Sequence, residues 1–374
     1  MKIALVCPYD FAHPGGVANH ITFLYKELLK IGHEVKIITP YSGNSDLLEN
    51  KDIIPIGKPV SIPSAGSVAR ITLSPMLSSP VKAALERERF DIIHLHDPLY
   101  STLSLTVLHH SKTINIGTFH AFQNTRIPYH IISPLFQGAF NKLHGRIAVS
   151  EPAKRFITRY FPAKYNIIPN GIDFKRFSTP LPPIANLRDG KLNILFVGRA
   201  EKRKGLNFLL EAYPLIKREI PQSRLVIVGP ETRQKYEHIA RKMALEDVVF
   251  TDYVPNEDLP AYYQTADVFC SPATGGESFG IILLEAMAAS KAIVASSIDG
   301  YASLISAGIE GLLVPPKDIT ALANAIIGLL RYEPKRREMG SHGRQKAEQY
   351  SWPNIAKMIN EYYICIHNEL KCGR

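Results

Sequence analysis

The chain has 374 residues, enough for two or three domains. With 45% apolar and 21% charged residues it has a globular composition, which excludes a disordered chain and a fibre. Lys+Arg exceeds Asp+Glu by 44 to 34, and residues 1–170 hold 18 of the basic against 11 of the acidic residues and ten of the 13 His, so the first half points to an anionic partner: nucleic acid, anionic lipid or a phosphorylated small molecule.

Met1-Lys2 and the short apolar run Ile3–Val6 meet Pro8, so they read as a first strand rather than a signal peptide. Gly15-Gly16 follows. Val17, Ile21, Leu24, Leu28 and Ile31 have helical spacing, and Gly32 ends that helix. Glu34–Thr39 is the next strand, which makes a β-loop-α-β unit with parallel strands. Asp91–Leu95, Ile114–Phe119, Gly145–Val149 and Ile167–Ile168 continue the strands, and Asn170-Gly171 is a turn. Pro180, Pro182, Pro183, Asp189 and Gly190 mark 179–191 as a linker.

The pattern then restarts. Strands are expected at Leu192–Val197, Arg224–Val228, Val248–Phe250, Val268–Cys270, Ala292–Ala295 and Leu312–Val314. Helices are expected at 205–215, 257–265, 281–289 and 318–331. A last helix, Trp352–Leu370, sets Ile355, Met358, Ile359, Tyr362 and Ile366 on one face and is expected to return to the first domain. The expected fold class is α/β, with two doubly wound Rossmann-like domains facing a cleft. Their expected extents are 1–175 with 352–374, and 190–351. No apolar run reaches the roughly 18 residues of a membrane span. The most apolar stretch, Ile281–Ala289, is broken by Glu285. Cys7, Cys270, Cys365 and Cys372 fit no zinc spacing and read as thiols of a reducing compartment.

Open α/β sheets bind ligands beyond the carboxyl ends of their strands. After the first strand, Gly15-Gly16 opens a helix whose free amides suit an anion; taken alone it reads more readily as an ordinary tight βα turn. After Leu192–Val197 comes Gly198-Arg199-Ala200-Glu201-Lys202-Arg203-Lys204-Gly205, a basic run at a ligand edge that can hold phosphate. Gly275-Gly276-Glu277-Ser278-Phe279-Gly280-Ile281 forms a third cluster, with Glu285 further along the helix. A carboxylate in that apolar stretch needs a partner, and paired sugar hydroxyls would serve. His120 ends the strand 114–119, where it can hydrogen-bond a substrate or move a proton. His94 and His96 make a metal pair only if a third ligand joins them.

In this order the clusters resemble the retaining glycosyltransferases of GT-B architecture in family 4, over essentially the whole chain. Within it, six stretches are similar to the members that mannosylate phosphatidylinositol: Val6-Cys7-Pro8-Tyr9, Pro14-Gly15-Gly16-Val17, Gly66-Ser67-Val68-Ala69-Arg70, Gly145-Arg146-Ile147-Ala148-Val149-Ser150, Ile168-Pro169-Asn170-Gly171 and Gly275–Gly280. The resemblance implies a nucleotide-sugar donor, with Gly16 near its diphosphate and Arg199 and Lys204 neutralising the leaving charge. It implies Glu277 on the sugar hydroxyls and Glu285 on the ribose. Ser278, Phe279, Gly280 and Ile281 complete that donor loop, and Val254 lies by the base. It places His120 at the anomeric centre, and Tyr9, Arg70 and Arg126 at the acceptor head group. Cofactors are expected to be none, and no catalytic metal is expected.

The activity so implied is retaining transfer of a hexose, mannose from GDP-mannose, to a phospholipid head group such as phosphatidylinositol. The alternative is another nucleotide sugar, such as a UDP-sugar, with an inositol phosphate, glycolipid or polysaccharide acceptor. Expected partners are the donor, an anionic phospholipid and the membrane surface, without nucleic acid. The expected location is cytoplasmic, peripheral on the inner membrane face. The chain departs from its models in places. Arg126 stands for a Lys and Leu99 for an acceptor Asn, while Asn256 and Leu259 replace the guanine-reading Asp and Lys. In Val81–Phe90, Glu86 and Glu88 offset Lys82, Arg87 and Arg89.

Overall fold

A computed structural model describes residues 1–13, 15–43, 50–64, 67–120 and 129–372. The chain forms two compact units: Met1–Gly171 with Trp352–Arg374, and Ile172–Ser351.

The first unit carries β1 (Lys2–Val6), β2 (Glu34–Thr39), β3 (Ile53–Pro55), the hairpin β4 (Val60–Ser64) and β5 (Ser67–Ile71), then β6 (Ile92–His96), β7 (Ile114–Phe119), β8 (Gly145–Ala148) and β9 (Asn166–Ile167). Its main sheet has the order β3-β2-β1-β6-β7-β8-β9 and is parallel throughout. The order reverses at β1, which makes the β1–β6 junction the switch point where ligands bind. Ile3 to Cys7 are fully buried, as expected of a strand covered on both faces. Helix Gly16–Ile31 covers one face through Ile21, Leu24 and Leu28. Helix Trp352–Cys372 joins the same core through Trp352, Ile355, Ile359 and Tyr363. Each such side chain contributes about 1.5–3 kcal/mol by burial. On the other face, Val81, Leu103, Val107, Phe140 and Ile157 come from four further helices.

The second unit carries β10 (Leu192–Val197), β11 (Ser223–Val228), β12 (Val248–Asp252), β13 (Val268–Ser271), β14 (Ala292–Ser296) and β15 (Gly311–Val314). The order β12-β11-β10-β13-β14-β15 is again parallel and reverses beside β10. Two doubly wound sheets therefore bear out the α/β reading.

The stretch after Gly171 differs from a free linker. Ile172, Phe177 and Leu187 are buried in the second unit's core. The prolines lack donors, and side chains satisfy neighbouring backbone groups. The amide of Leu181 donates to Gln264 Oε1 at 2.7 Å, and that of Ile184 to Thr265 Oγ1 at 3.0 Å. Helix Glu333–Gln349 carried no apolar period because its buried residues are Met339, Gly340, Gly343 and Ala347, three of them small. A Cβ on Gly340 would come within 2.1 Å of the Ser290 carbonyl oxygen, so the helix backbone itself packs there.

Candidate active site

In the first unit the ends of β1, β6 and β7 meet. The Tyr9 hydroxyl donates to Asp97 Oδ2 at 3.0 Å. Asp97 Oδ1 accepts the backbone amide of His120 at 2.9 Å. The Asp97 backbone is left-handed, with φ 44°, a conformation asparagine and aspartate tolerate best. Burial pushes its carboxyl up to about 6. The Arg70 carbonyl accepts the Asp10 amide at 2.8 Å, which seats β5 against the β1 loop, while the Arg70 side chain is exposed. Tyr9, Arg70 and His120 thus share one neighbourhood; Arg126 lies outside the described residues. Gly16 begins its helix behind the cap residue Gly15, and a Cβ on either would meet nothing within 4 Å.

Around His120 the structure gathers more imidazoles. His96 Nδ1 and His120 Nε2 are 2.9 Å apart. The His20 ring lies 4.8 Å from that of His120 and 5.1 Å from that of His96. His20 Nδ1 donates to Asn170 Oδ1 at 3.1 Å. His94 turns to other partners, the hydroxyls of Tyr363 and Thr118, each at 2.6 Å. The suspected His94–His96 metal pair therefore does not form. Burial pushes His20, His94 and His96 well below the usual imidazole range and His120 down to about 4, so all four are neutral at pH 7. Asp97 and Asn170 were missed as functional candidates. The only local signals were the acid after His-x-His and the Pro-Asn-Gly turn.

In the second unit the basic run leaves β10. Gly205 has φ +73°, and a Cβ there would come within 1.9 Å of the Pro272 carbonyl oxygen, so only glycine fits. That fit brings Lys204 to the Gly275–Gly280 loop. Lys204 Nζ lies 2.7 Å from Glu277 Oε1, and Arg203 grips the same oxygen while bonding Glu201 at 2.8 Å. Arg199, more exposed, lies 3.9 Å from Glu201. Glu277 is thus held by two cations. Arg203, read only as part of the charge run, is the side chain that ties this run to the loop.

Gly280, with φ +94°, precedes helix Ile281–Ala288. Ser278 and Ile281 are partly exposed, whereas Phe279 is buried in the core, its ring 5.9 Å from that of Tyr350, so only its backbone is available to a ligand. Val254 is partly buried against the same core. Glu285 accepts the Tyr263 hydroxyl at 2.6 Å. Burial pushes its carboxyl up to about 7, against the pull of Tyr263, Arg176 and Lys204. Tyr263 had no sequence signal, since it reaches Glu285 from a different helix.

The arrangement suits a phosphorylated ligand with hydroxyls: cations and helix-terminal amides for the phosphates, and two carboxylates for diols. A family model described as Glycosyltransferase Family 4 matches residues 14–176, and one described as Glycosyl transferases group 1 matches residues 179–346. The chain is 34% identical to a phosphatidyl-myo-inositol mannosyltransferase of Mycobacterium leprae, over 97% of this chain and 96% of that protein. It is 33% identical to the protein of the same name from Mycolicibacterium smegmatis, over 97% and 93%. Among solved structures, a sucrose-phosphate synthase from Thermosynechococcus elongatus is similar in fold, with a TM-score of 0.76 at 23% identity, over 100% of both chains. With both units matched and identity above 30% along nearly its whole length, the chain is an enzyme of the GT-B glycosyltransferases of family 4, in the group of the phosphatidyl-myo-inositol mannosyltransferases.

Proposed function

We propose that this enzyme transfers mannose from GDP-mannose to the head group of phosphatidylinositol, with retention at the anomeric carbon. The observation that carries the reading is Glu277 held by Lys204 and Arg203 beside Arg199. Lys204 and Arg203 pair with the Glu277 carboxylate, and a diphosphate offers such cations a stronger partner. When the donor binds, Lys204 and Arg199 turn to the diphosphate and Glu277 is released to accept sugar hydroxyls. Glu285 accepts the ribose hydroxyls. The bond from the anomeric carbon to the diphosphate breaks, and the bond to the acceptor oxygen forms on the same face. The acceptor proton passes to the departing phosphate oxygen. Fixed cations lower this barrier because they face the charge that develops. His120 is neutral near pH 7, which fits a hydrogen-bonding role at the anomeric centre. Tyr9, Arg70 and Arg126 take the inositol phosphate.

The acceptor places the enzyme at a membrane surface, on the cytoplasmic face. No helix among the described residues is long and apolar enough to cross one. Support comes from Leu73 and Met76, 52% and 82% exposed ahead of helix Ser78–Glu88. The charges of that helix are muted, because Lys82 is 3.9 Å from Glu86 and Arg87 is 2.8 Å from Glu88. Apolar contact rather than charge is then the main attraction, and co-sedimentation with liposomes should change little with salt.

A second reading rests on Asn256 and Leu259, which lack the charges that suit guanine. It keeps the chemistry and changes the donor to a UDP-sugar. Incubation with GDP-mannose, UDP-glucose and UDP-N-acetylglucosamine and phosphatidylinositol liposomes tests both. Mannosylated lipid supports the first reading and transfer from a UDP-sugar the second. No transfer and no donor hydrolysis with any of them overturns the proposal.

A further inference from the structure

We propose that His20, His96 and His120 form a binding site for a divalent transition ion of the zinc type, and that filling it withdraws His120 from sugar transfer. The second clause rests on the function proposed above; the first does not.

The three imidazoles come from helix Gly16–Ile31, the end of β6 and the residue that follows β7. One nitrogen of each ring lies within 4.8 Å of the others, the one such group of three among the described residues. His20 and His96 are only 4% and 0% exposed, yet Nε2 of each has no hydrogen-bond partner. A buried polar atom left unpaired costs about 1–3 kcal/mol. An ion supplies the missing partner of His20 Nε2, since Asn170 already holds the Nδ1 of that ring; His96 would meet the ion through Nδ1. Asn170 thus does for the His20 ring what an outer carbonyl does for a metal-bound histidine: it fixes the tautomer that leaves Nε2 free for the ion, while His120 Nε2 faces His96.

The spacing also fits. Zinc–nitrogen bonds of about 2.0–2.1 Å set tetrahedral ligands roughly 3.4 Å apart. The His96–His120 pair, at 2.9 Å, needs only to open slightly to exchange its shared proton for the ion. That proton moves to His96 Nε2, so none is lost. His20 closes the site by a side-chain shift on the order of 1 Å. An all-imidazole set prefers Zn²⁺, Cu²⁺ or Ni²⁺ to Mg²⁺ or Ca²⁺, and it leaves room for a solvent ligand.

The test titrates the full-length, chelator-stripped enzyme with Co²⁺ and follows the visible bands of a tetrahedral ion. One equivalent should bind, and Zn²⁺ should displace it. His20→Gln and His96→Gln should each weaken binding at least about tenfold, and Asn170→Ala about tenfold. A His109→Ala/His110→Ala variant should bind as wild type does. Absence of the bound equivalent, or undiminished affinity in both glutamine variants, overturns the site. If those variants do not fold, the wild-type spectrum decides: an intense thiolate band would assign the ion to a cysteine and overturn it. Saturating Zn²⁺ should cut transfer at least about tenfold. Unchanged transfer with the site filled overturns the inhibitory clause. An enzyme that binds Co²⁺ but transfers no sugar without zinc counts against the function, not the site.

Discussion

The two units build their ligand edges from the same scaffold and opposite electrostatics. At the end of β10, Lys204, Arg203, Glu201 and Glu277 form a charged network still partly open to water. At the ends of β1, β6 and β7, burial has removed almost all charge, leaving neutral imidazoles and an aspartate whose pKa approaches 6. Under the proposed function, the difference follows from what each edge would do. Phosphate binding needs mobile cations whose solvation cost is small, so their partners must be easy to exchange. Positioning an uncharged sugar carbon needs fixed hydrogen bonds, and an apolar surround strengthens these.

The contrast can be broken at several points. Lys204→Ala or Arg199→Ala should lower the transfer rate by on the order of 10²–10³ with little change in melting temperature. Wild-type turnover would remove the charged network from the chemistry. Asp97→Ala strands the Tyr9 hydroxyl and the His120 amide, so stability should fall by about 1–3 kcal/mol for each unpaired donor. Urea unfolding reads this directly, and an unchanged midpoint would show that the clamp is idle.

Acid should act chiefly on the imidazole side. A histidine whose folded pKa is depressed binds fewer protons folded than unfolded, so stability is present above the unfolded value of 6.5 and lost as pH falls below it. For His120, held near 4, the loss at pH 5 is about 2 kcal/mol, and His20, His94 and His96 add to it. Asp97 and Glu285, with raised values, oppose this and soften the slope. Urea midpoints that stay level or rise between pH 7 and 5 would refute the neutral cluster. The smallest effect concerns Glu285. If its ionised form accepts the ribose, nucleotide affinity should weaken about tenfold per unit below its value of about 7, and Glu285→Gln should flatten the profile. Calorimetry with GDP and with UDP measures both.

Much of this was legible because it is local. Parallel strands buried on both faces are continuous apolar runs, and Arg199, Lys204, Glu277 and Glu285 sit at short fixed spacings. What was not legible is what the fold brings together from afar. His20 meets Asn170, and His94 meets Tyr363, across most of the first unit's chain. Tyr263 reaches Glu285 from a neighbouring helix. No period or spacing encodes such pairs. The stretch 179–191 misled for a related reason: its prolines look like linker, but Leu187 and the backbone bonds to Gln264 and Thr265 bind it into a core.

The final helix has a consequence for how the molecule is made. Trp352 stacks on Phe23 at 5.6 Å and walls the His20 ring at 4.8 Å, and a Cβ on Gly171 would strike its ring. A ribosome delivers the first unit's sheet early but its covering helix only after the whole second unit has emerged. The second unit can complete its core while still tethered; the first must wait with an apolar face uncovered. The histidine cluster is therefore among the last parts of the protein to reach its native surroundings, and a nascent chain stalled near residue 350 would carry a completed second unit and a first unit whose core is still uncovered.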